Sequence, residues 1–402
     1  MLKILSLFSG IGAFEKALEN IDEPFELVNY CEIDKYASKA FSLIHGVDEG
    51  LNLGDITAID THNLPNDIDV ITYGFPCQDI SNAGKQKGFT DENGERTRSG
   101  LFFEALRIIE DTKPKFAIAE NVKALTGKRF TAEFKIVLDS LNDAGYKNYW
   151  AVLNAKDYGI PQNRERVFII SIRNDINHGF NFPKPYELKL KLKDVLETNV
   201  DEKYFLTDEQ VKSFMTSTYN QEKNRLQTND VCATLCARDY KSPKLIQIGN
   251  CKPTKTRANL NQGRVYDTNG ISPTLNCCGG GNLQPYVCVR EATKKGYAEA
   301  KEGDFVNLQF PNSKTRRGRV GKEISQTSLC NDANGVVERL RIRKLTPKEC
   351  FRLMGFDDRD VDVLIENKIS NTQLYKMAGN SIVVDVLEEI FVELLNQYSG
   401  VI

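Results

Sequence analysis

No run of 18 apolar residues occurs anywhere in the 402 positions, which excludes a membrane-spanning helix. The opening residues MLKILSLFSG also lack the basic region, apolar block and cleavage site of a secretory signal. A cytoplasmic protein is expected. Its ten cysteines would be reduced there, so disulfides are set aside, and each thiol is core filler, metal ligand or nucleophile. Strong net charge is missing too, at −2 overall. That small number conceals an imbalance, because residues 241–350 carry 20 Lys+Arg against 9 Asp+Glu, a net of +11, and the other positions carry −13. A solvated lysine face is the plain reading of such an excess, and a surface that meets phosphate is the functional one.

At the usual ~150 residues per domain, two domains are expected, and 41% hydrophobic content supplies a core for each. The first 175 residues alternate strand-like runs, KILSLF, FELVNYCEI, DVITYGF, FAIAEN, YWAVLNA and RVFIISI, with helix-like ones such as LFFEALRIIED and FKIVLDSLNDAG. That alternation predicts a doubly wound α/β sheet. Past residue 190 the pattern degrades into an Asn-, Thr-, Gly- and Lys-rich stretch with short strand candidates (KLIQIG, PYVCV) and no long helix before LTPKECFRLMG. A second, smaller, irregular β-rich domain is expected over 191–369. The apolar helix SIVVDVLEEIFVELLNQY then returns, so that 1–190 and 370–402 form the first domain. Three loosely similar lines, NRLQTNDVCATL, GRVYDTNGISPTL and GRVGKEISQTSL, read either as one repeated loop-and-strand unit or as chance similarity in a Thr/Asn-rich region.

Gly10 and Gly12 in LFSGIGAFE follow the first strand and open a helix, as in a nucleotide-binding turn. The third glycine of the dinucleotide fingerprint is missing, since Glu15 stands there, so a pyrophosphate is not specially provided for. Glu32 and Asp34 end the next strand, and Asp55 follows the next short segment. One acid of this kind is more often solvated or a helix cap; three after successive elements, with the glycine turn, fit an adenosine-bearing ligand. Cys77, in GFPCQDIS, lies just past the carboxyl end of a predicted central strand, where open α/β sheets bind ligands. The polar loop after it is long enough to close over a substrate. Cys31, Cys288 and Cys350 lie in apolar elements and read as core, while Cys232, Cys236, Cys277 and Cys278 do not match the common zinc spacings; no metal is expected.

These residues resemble the DNA (cytosine-5) methyltransferases of bacterial and phage type. Nine motifs stand in the family's order: FSGIGAFE (8–15), EID (32–34), DI (55–56), GFPCQDIS (74–81), SGLFFE (99–104), ENV (120–122), QNRERVFII (162–170), LTPKECFRLMGF (345–356) and MAGNSIVV (377–384). The resemblance implies a Rossmann-like methyltransferase sheet with a target-recognition domain, S-adenosyl-L-methionine as methyl donor, S-adenosyl-L-homocysteine as product, and a cytosine flipped out of duplex DNA as substrate. By resemblance Cys77 is the nucleophile on carbon 6, Glu120 serves ring nitrogen 3, Arg166 contacts the cytosine carbonyl oxygen, and Arg164 supports the site or a nearby phosphate. Phe8, Gly10, Gly12, Phe14, Glu32, Ile33, Asp55, Ile56, Leu101, Asn380 and Ser381 would form the donor pocket.

Backbone around Phe75 and Pro76 would read the exocyclic amino group. Asn121 would help hold that turn, and Gln78 and Ser81 would meet the displaced strand. In the second domain Thr234 and Thr274 on the repeated loops would read bases, and Lys314, Arg316, Arg317 and Arg319 would contact phosphates. The implied setting is restriction–modification or phage and host self-protection, with a restriction endonuclease, where present, acting separately, the enzyme itself a monomer, and association with the nucleoid through DNA. A transfer-RNA methyltransferase of the same fold, a catalytically silent DNA-binding relative and a nicotinamide oxidoreductase are the competing readings.

Overall fold

The six apolar runs of the N-terminal half become one sheet: β1 (Leu2–Leu7), β2 (Phe25–Cys31), β3 (Val70–Tyr73), β4 (Phe116–Val122), β5 (Tyr146–Asn154) and β6 (Glu165–Arg173). The computed structural model describes residues 1–76, 89, 97–176, 179–190, 192–204, 247–250, 264–266, 287–290, 297–301, 303–307, 319–326, 334–338 and 341–401. Strand order is β2-β1-β3-β4-β6-β5. Between the strands run α1 (Ala13–Asn20), α2 (Lys35–His45), α3 (Phe102–Thr112) and α4 (Thr131–Asp143). The first four strands of that order pair in parallel, whereas β6 is antiparallel to both its neighbours.

Chain length explains the reversal. Only a single turn, Ala155–Asp157, and a few extended residues separate β5 from β6, too little for a crossover helix. The chain turns back and fills the slot that the α4 crossover leaves between β4 and β5. Side chains alternate across the sheet. Leu5, Leu7, Ile71, Tyr73, Ala117, Ala119, Val167 and Ile169 pack with Phe102, Ile109, Phe134 and Val137 of α3 and α4. On the other face, Phe116 meets Tyr398 at 5.2 Å and Phe14 meets Phe391 at 6.4 Å, both partners lying on α7 (Val384–Tyr398). Each such side chain contributes about 1.5–3 kcal/mol on burial.

Two compact units divide the chain, Met1–Lys189 with Phe351–Ile402, and Leu190–Cys350. The chain therefore rejoins the first unit at Phe351, earlier than residue 370. The cause is a set of contacts that sequence spacing does not announce. Lys16 pairs with Asp357 at 2.9 Å and Asp360 at 3.0 Å, Asp357 caps α5 (Asp358–Glu366) with a capping box, and Gln162 donates to the Leu353 carbonyl at 2.7 Å. α6 (Asn371–Asn380) then leads into α7.

Asp385, in the first turn of α7, is pushed up to about 7 by burial and then by Glu388, Glu389 and Asp357. A Cβ at Gly355, whose φ is +80°, would sit 2.2 Å from its Oδ2. The folded state thus binds a proton that the unfolded chain releases near pH 4, so stability falls as pH rises from about 4 to about 7. At 1.36 kcal/mol per pKa unit the cost approaches 4 kcal/mol as an upper bound. Asp385→Asn is expected to melt higher than the parent at pH 8 and within a degree or two of it at pH 4. Equal melting at pH 8 would contradict a buried charge at this position.

In the second unit the described strands pair antiparallel: Gln247–Asn250 with Arg264–Tyr266, Val287–Arg290 with Tyr297–Ala300, and a four-stranded sheet ordered Val320–Gly321, Phe305–Asn307, Asn334–Glu338, Arg341–Lys344. KLIQIG and PYVCV each supply part of a strand. Of the three similar lines, GRVYDTNGISPTL contributes Arg264–Tyr266 and GRVGKEISQTSL contributes Val320–Gly321 and Ser325–Gln326; NRLQTNDVCATL lies outside the described residues. Arg319 departs from the phosphate role expected of it. It is 1% exposed, and its guanidinium donates to the Asn307 carbonyl at 2.8 and 3.2 Å, so it ties two strands together inside the unit. Among the described residues no helix is long and apolar enough to cross a membrane.

Candidate active site

The chain leaves β1 in a left-handed sequence: Phe8 at φ 53°, Gly10 at 58° and Gly12 at 81°. Only glycine adopts that region cheaply, and strain of this kind gathers at ligand sites. A Cβ added at Gly10 would meet nothing within 4 Å, so the turn shows bare backbone to open space. Glu32 closes it from β2's end, its Oε2 accepting from the Gly10 N–H at 2.9 Å and its Oε1 from the Asp34 N–H at 2.7 Å. Burial raises the Glu32 carboxyl above its usual range, opposed by those two N–H groups.

Ile33, next in line, is 75% exposed, an unusual position for an isoleucine. Asp55 is exposed and caps the turn Ile56–Ala58, accepting from the Thr57 N–H and hydroxyl at 3.0 and 2.9 Å, while Ile56 is buried beneath. Phe8 and Leu101 are half-buried at the same edge. Phe14 is different. It is 4% exposed and set edge-on against Phe391, which places it in the core and corrects its assignment to the pocket wall.

Asn380 is exposed and Ser381 buried, at the end of α6. Arg164, 3% exposed, holds this turn, donating from Nη2 to the Ser381 carbonyl at 2.5 Å and the Gly379 carbonyl at 3.3 Å. Of the two roles open to Arg164 from sequence, the geometry fits support of the site. Its neighbour in the motif points elsewhere. Arg166 Nε lies 2.9 Å from Glu120 Oε1, the two side chains 16% and 12% exposed. Burial raises the Glu120 carboxyl, against the pull of Arg166 and Arg164.

Gly74, where GFPCQDIS begins, would carry a Cβ 3.8 Å from Glu120 Oε2. Phe75 is buried among Tyr73, Phe89 and Phe102, and its carbonyl accepts from Asn121 Nδ2 at 3.0 Å. Pro76 is partly exposed after it. Asn121 is 2% exposed and spends its Oδ1 on the Val122 N–H at 2.8 Å. Both ends are engaged inside the protein, and through the Phe75 carbonyl it holds the backbone before Cys77, the turn expected of it. Cys77, Gln78, Ser81, Thr234, Thr274, Lys314, Arg316 and Arg317 lie outside the described residues.

Three supporting side chains escaped the sequence reading. Asn52 bridges the Glu32 N–H (3.0 Å), the Glu32 carbonyl (2.9 Å) and Ser38 (2.9 Å). Lys376 of α6 pairs with Asp34 and also acts on Glu32, joining the turn that carries Asn380 to the turn that carries Glu32. His45 lies beneath the glycine turn, 3.1 Å from the Ile11 carbonyl. The usable signal for Asn52 was its place in the turn NLGD beside Asp55; the other two lie on helix faces like any solvated residue.

Known proteins bear on this geometry. The chain matches the family described as C-5 cytosine-specific DNA methylase over residues 2–396. It is 34% identical to the orphan methyltransferase M.SPRI of Bacillus phage SPR, across 99% of this chain and 98% of that protein. To the type II methyltransferase M.HhaI of Haemophilus parahaemolyticus it is 32% identical, across 97% and 93%. The solved structure of the Entamoeba histolytica methyltransferase EhMeth shares the fold at a TM-score of 0.57 and 16% identity, covering 99% of this chain and 98% of the other. A left-handed glycine turn closed by a carboxylate, and a buried glutamate–arginine pair at the strand ends, thus stand in a chain that belongs to the C-5 cytosine-specific DNA methylase family.

Proposed function

We propose that the protein transfers a methyl group from S-adenosyl-L-methionine to carbon 5 of a cytosine flipped out of duplex DNA. The observation that carries the reading is the buried Glu120–Arg166 pair beside the start of the GFPC segment.

The residues present fit the donor. Bare backbone at Gly10 allows close approach, Glu32 keeps lone pairs for a ribose diol beyond its two backbone bonds, and the exposed Ile33 offers an apolar face for the adenine. Asp55, Ile56, Leu101, Phe8, Gly12, Asn380 and Ser381 complete that pocket in this reading. When bound, the donor supplies an electrophilic methyl group.

Carbon 5 of cytosine is a poor nucleophile. Addition of the Cys77 thiolate to carbon 6 pushes electrons toward carbon 5, and the charge that develops is met at ring nitrogen 3 by Glu120. Burial favours the protonated Glu120 that this requires, and Arg166 opposes it. An Arg166 that turns to the cytosine carbonyl oxygen removes that opposition, so base binding and proton uptake by Glu120 reinforce one another. A base inside a duplex is out of reach, hence the flip, at a cost of a few kcal/mol. The basic stretch 241–350, with Arg316, Arg317, Thr234 and Thr274, is assigned to the duplex, and Gln78 and Ser81 to the displaced strand. The bacteriophage and type II names of its relatives support a role in self-protection or beside a restriction endonuclease that acts separately, the enzyme working as a monomer on DNA in the cytoplasm.

Purified protein given S-adenosyl-L-methionine and unmethylated genomic DNA is expected to deposit 5-methylcytosine at one short repeated motif, read by bisulfite sequencing. Donor binding without any DNA methylation, with transfer to transfer RNA or to no nucleic acid, would defeat the proposal.

A further inference from the structure

The glycine turn has an inner face as well as an outer one, and a histidine occupies it. His45 ends α2, its side chain 2% exposed. Its Nε2 lies 3.1 Å from the Ile11 carbonyl and its Nδ1 2.7 Å from Glu19 Oε1. A backbone carbonyl only accepts, and so does an ionised carboxylate, so a ring that hydrogen-bonds to both donates from both nitrogens, which is the imidazolium form. The surroundings agree. The C-terminus of a helix favours a cation. Glu15, one turn before Glu19 on α1, is 1% exposed, and the groups that favour its charge are first His45 and then the Ser6 hydroxyl.

Burial by itself lowers the histidine, but the Glu19 hydrogen bond, the Glu15 and Glu19 charges and the Ile11 carbonyl outweigh it and raise it. Burial raises Glu15 in turn, and His45 opposes that. From the α5 side, Asp357 and Asp360 are taken up by Lys16. The charged groups facing the ring are therefore Glu15 and Glu19. The fit is close: a Cβ at Gly12 would lie 2.0 Å from His45 Nε2 and 2.9 Å from Phe41 Cε2, and Phe41 packs on the ring at 4.7 Å between centroids.

We propose that His45, as an imidazolium strung between Glu19 and the Ile11 carbonyl, is the positioning residue that sets the glycine turn for the methyl donor, so that donor affinity follows its proton. The inference rests on the methyltransferase reading. Loss of the proton turns one donor nitrogen into an acceptor. It then faces either a carbonyl or a carboxylate, and it leaves Glu15 buried without a counter-charge. With the lone pair on Nε2 the inner face of the turn is repelled where it was held, and the outer face, with Gly10 bound to Glu32, shifts with it; with the lone pair on Nδ1 the tie to Glu19 is the one lost.

Two measurements decide the matter. The chain has three histidines, so the ring carbon resonance of His45 is assigned by its disappearance in His45→Gln. In wild type it is expected to report the cation at pH 7 and to titrate above the ordinary imidazole range. Calorimetric affinity for S-adenosyl-L-methionine is expected to weaken about tenfold as pH rises through that titration, one pKa unit's equivalent. In His45→Gln it should be weak at every pH and free of that step, with kcat at saturating donor within about twofold of wild type. A neutral ring at pH 7, or wild-type affinity flat across the titration, overturns the role of His45 even where the variant fails to fold. Wild-type protein that binds no donor at any pH overturns the methyltransferase reading instead.

Discussion

Cys77→Ala is expected to lower methyl transfer by at least about 10⁴-fold while leaving donor affinity within a factor of two. The size follows from the chemistry. Without addition at carbon 6 the cytosine ring has no enamine to offer, and no neighbouring group replaces a missing nucleophile. Donor affinity should survive because the groups assigned to it, Gly10, Glu32 and Ile33, hang from β1 and β2 and are held by Asn52 and Lys376. Glu120→Gln tests the other half of the mechanism. It keeps a group that can donate to nitrogen 3 but cannot give up a proton, so a loss of about 10²–10⁴-fold is expected. Transfer is measured with tritiated donor on DNA, and the adduct as a covalent protein–DNA band on 5-fluorocytosine DNA, where the halogen cannot leave as a proton does. A band that persists in Cys77→Ala, or methylation near the wild-type rate, would sink the covalent route.

Much of this was legible before the fold. The inner strands were readable because β1, β3 and β4 are short apolar runs buried on both faces. The glycine turn and the carboxylate after β2 were readable because local chain geometry places them, whereas Cys77 lies outside the described residues. What escaped depends on partners far away in sequence. Arg164 and Arg166 look alike in QNRERV, yet one reaches Ser381, 217 residues on, and the other reaches Glu120. Arg319 looked like a phosphate ligand because it stands among basic residues, and only its contact with Asn307 reveals a buried strand tie. Phe14 was given to a ligand because it sits inside a motif that binds one, whereas burial turns it inward. The inner support of the glycine turn was invisible for the same reason: nothing in IHGV distinguishes a histidine on a solvated helix end from one beneath a loop.

Arg164→Lys should cost more stability than any other conservative change in the first unit, about 3–5 kcal/mol, read as a fall of the order of 10 °C in melting temperature. The guanidinium's Nη2 donates to two carbonyls of the turn after α6, at 2.5 and 3.3 Å. A lysine ammonium is a compact, strongly hydrated point charge on a flexible stem and does not reproduce that planar placement. Either the charge or a carbonyl is then left buried without its partner, and such groups retain the full cost of leaving water. The functional effect follows from where the turn leads. Gly379, Asn380 and Ser381 lie at the proposed donor pocket, and Arg164 stands two residues before Arg166, which pairs with Glu120. One side chain therefore ties the donor side to the base side, and its loss should weaken donor binding together with stability, whereas Cys77→Ala affects neither. Melting within a degree or two of wild type, with affinity for DNA of every sequence reduced instead, would mean that Arg164 serves a phosphate and that its hold on the Ser381 turn is incidental.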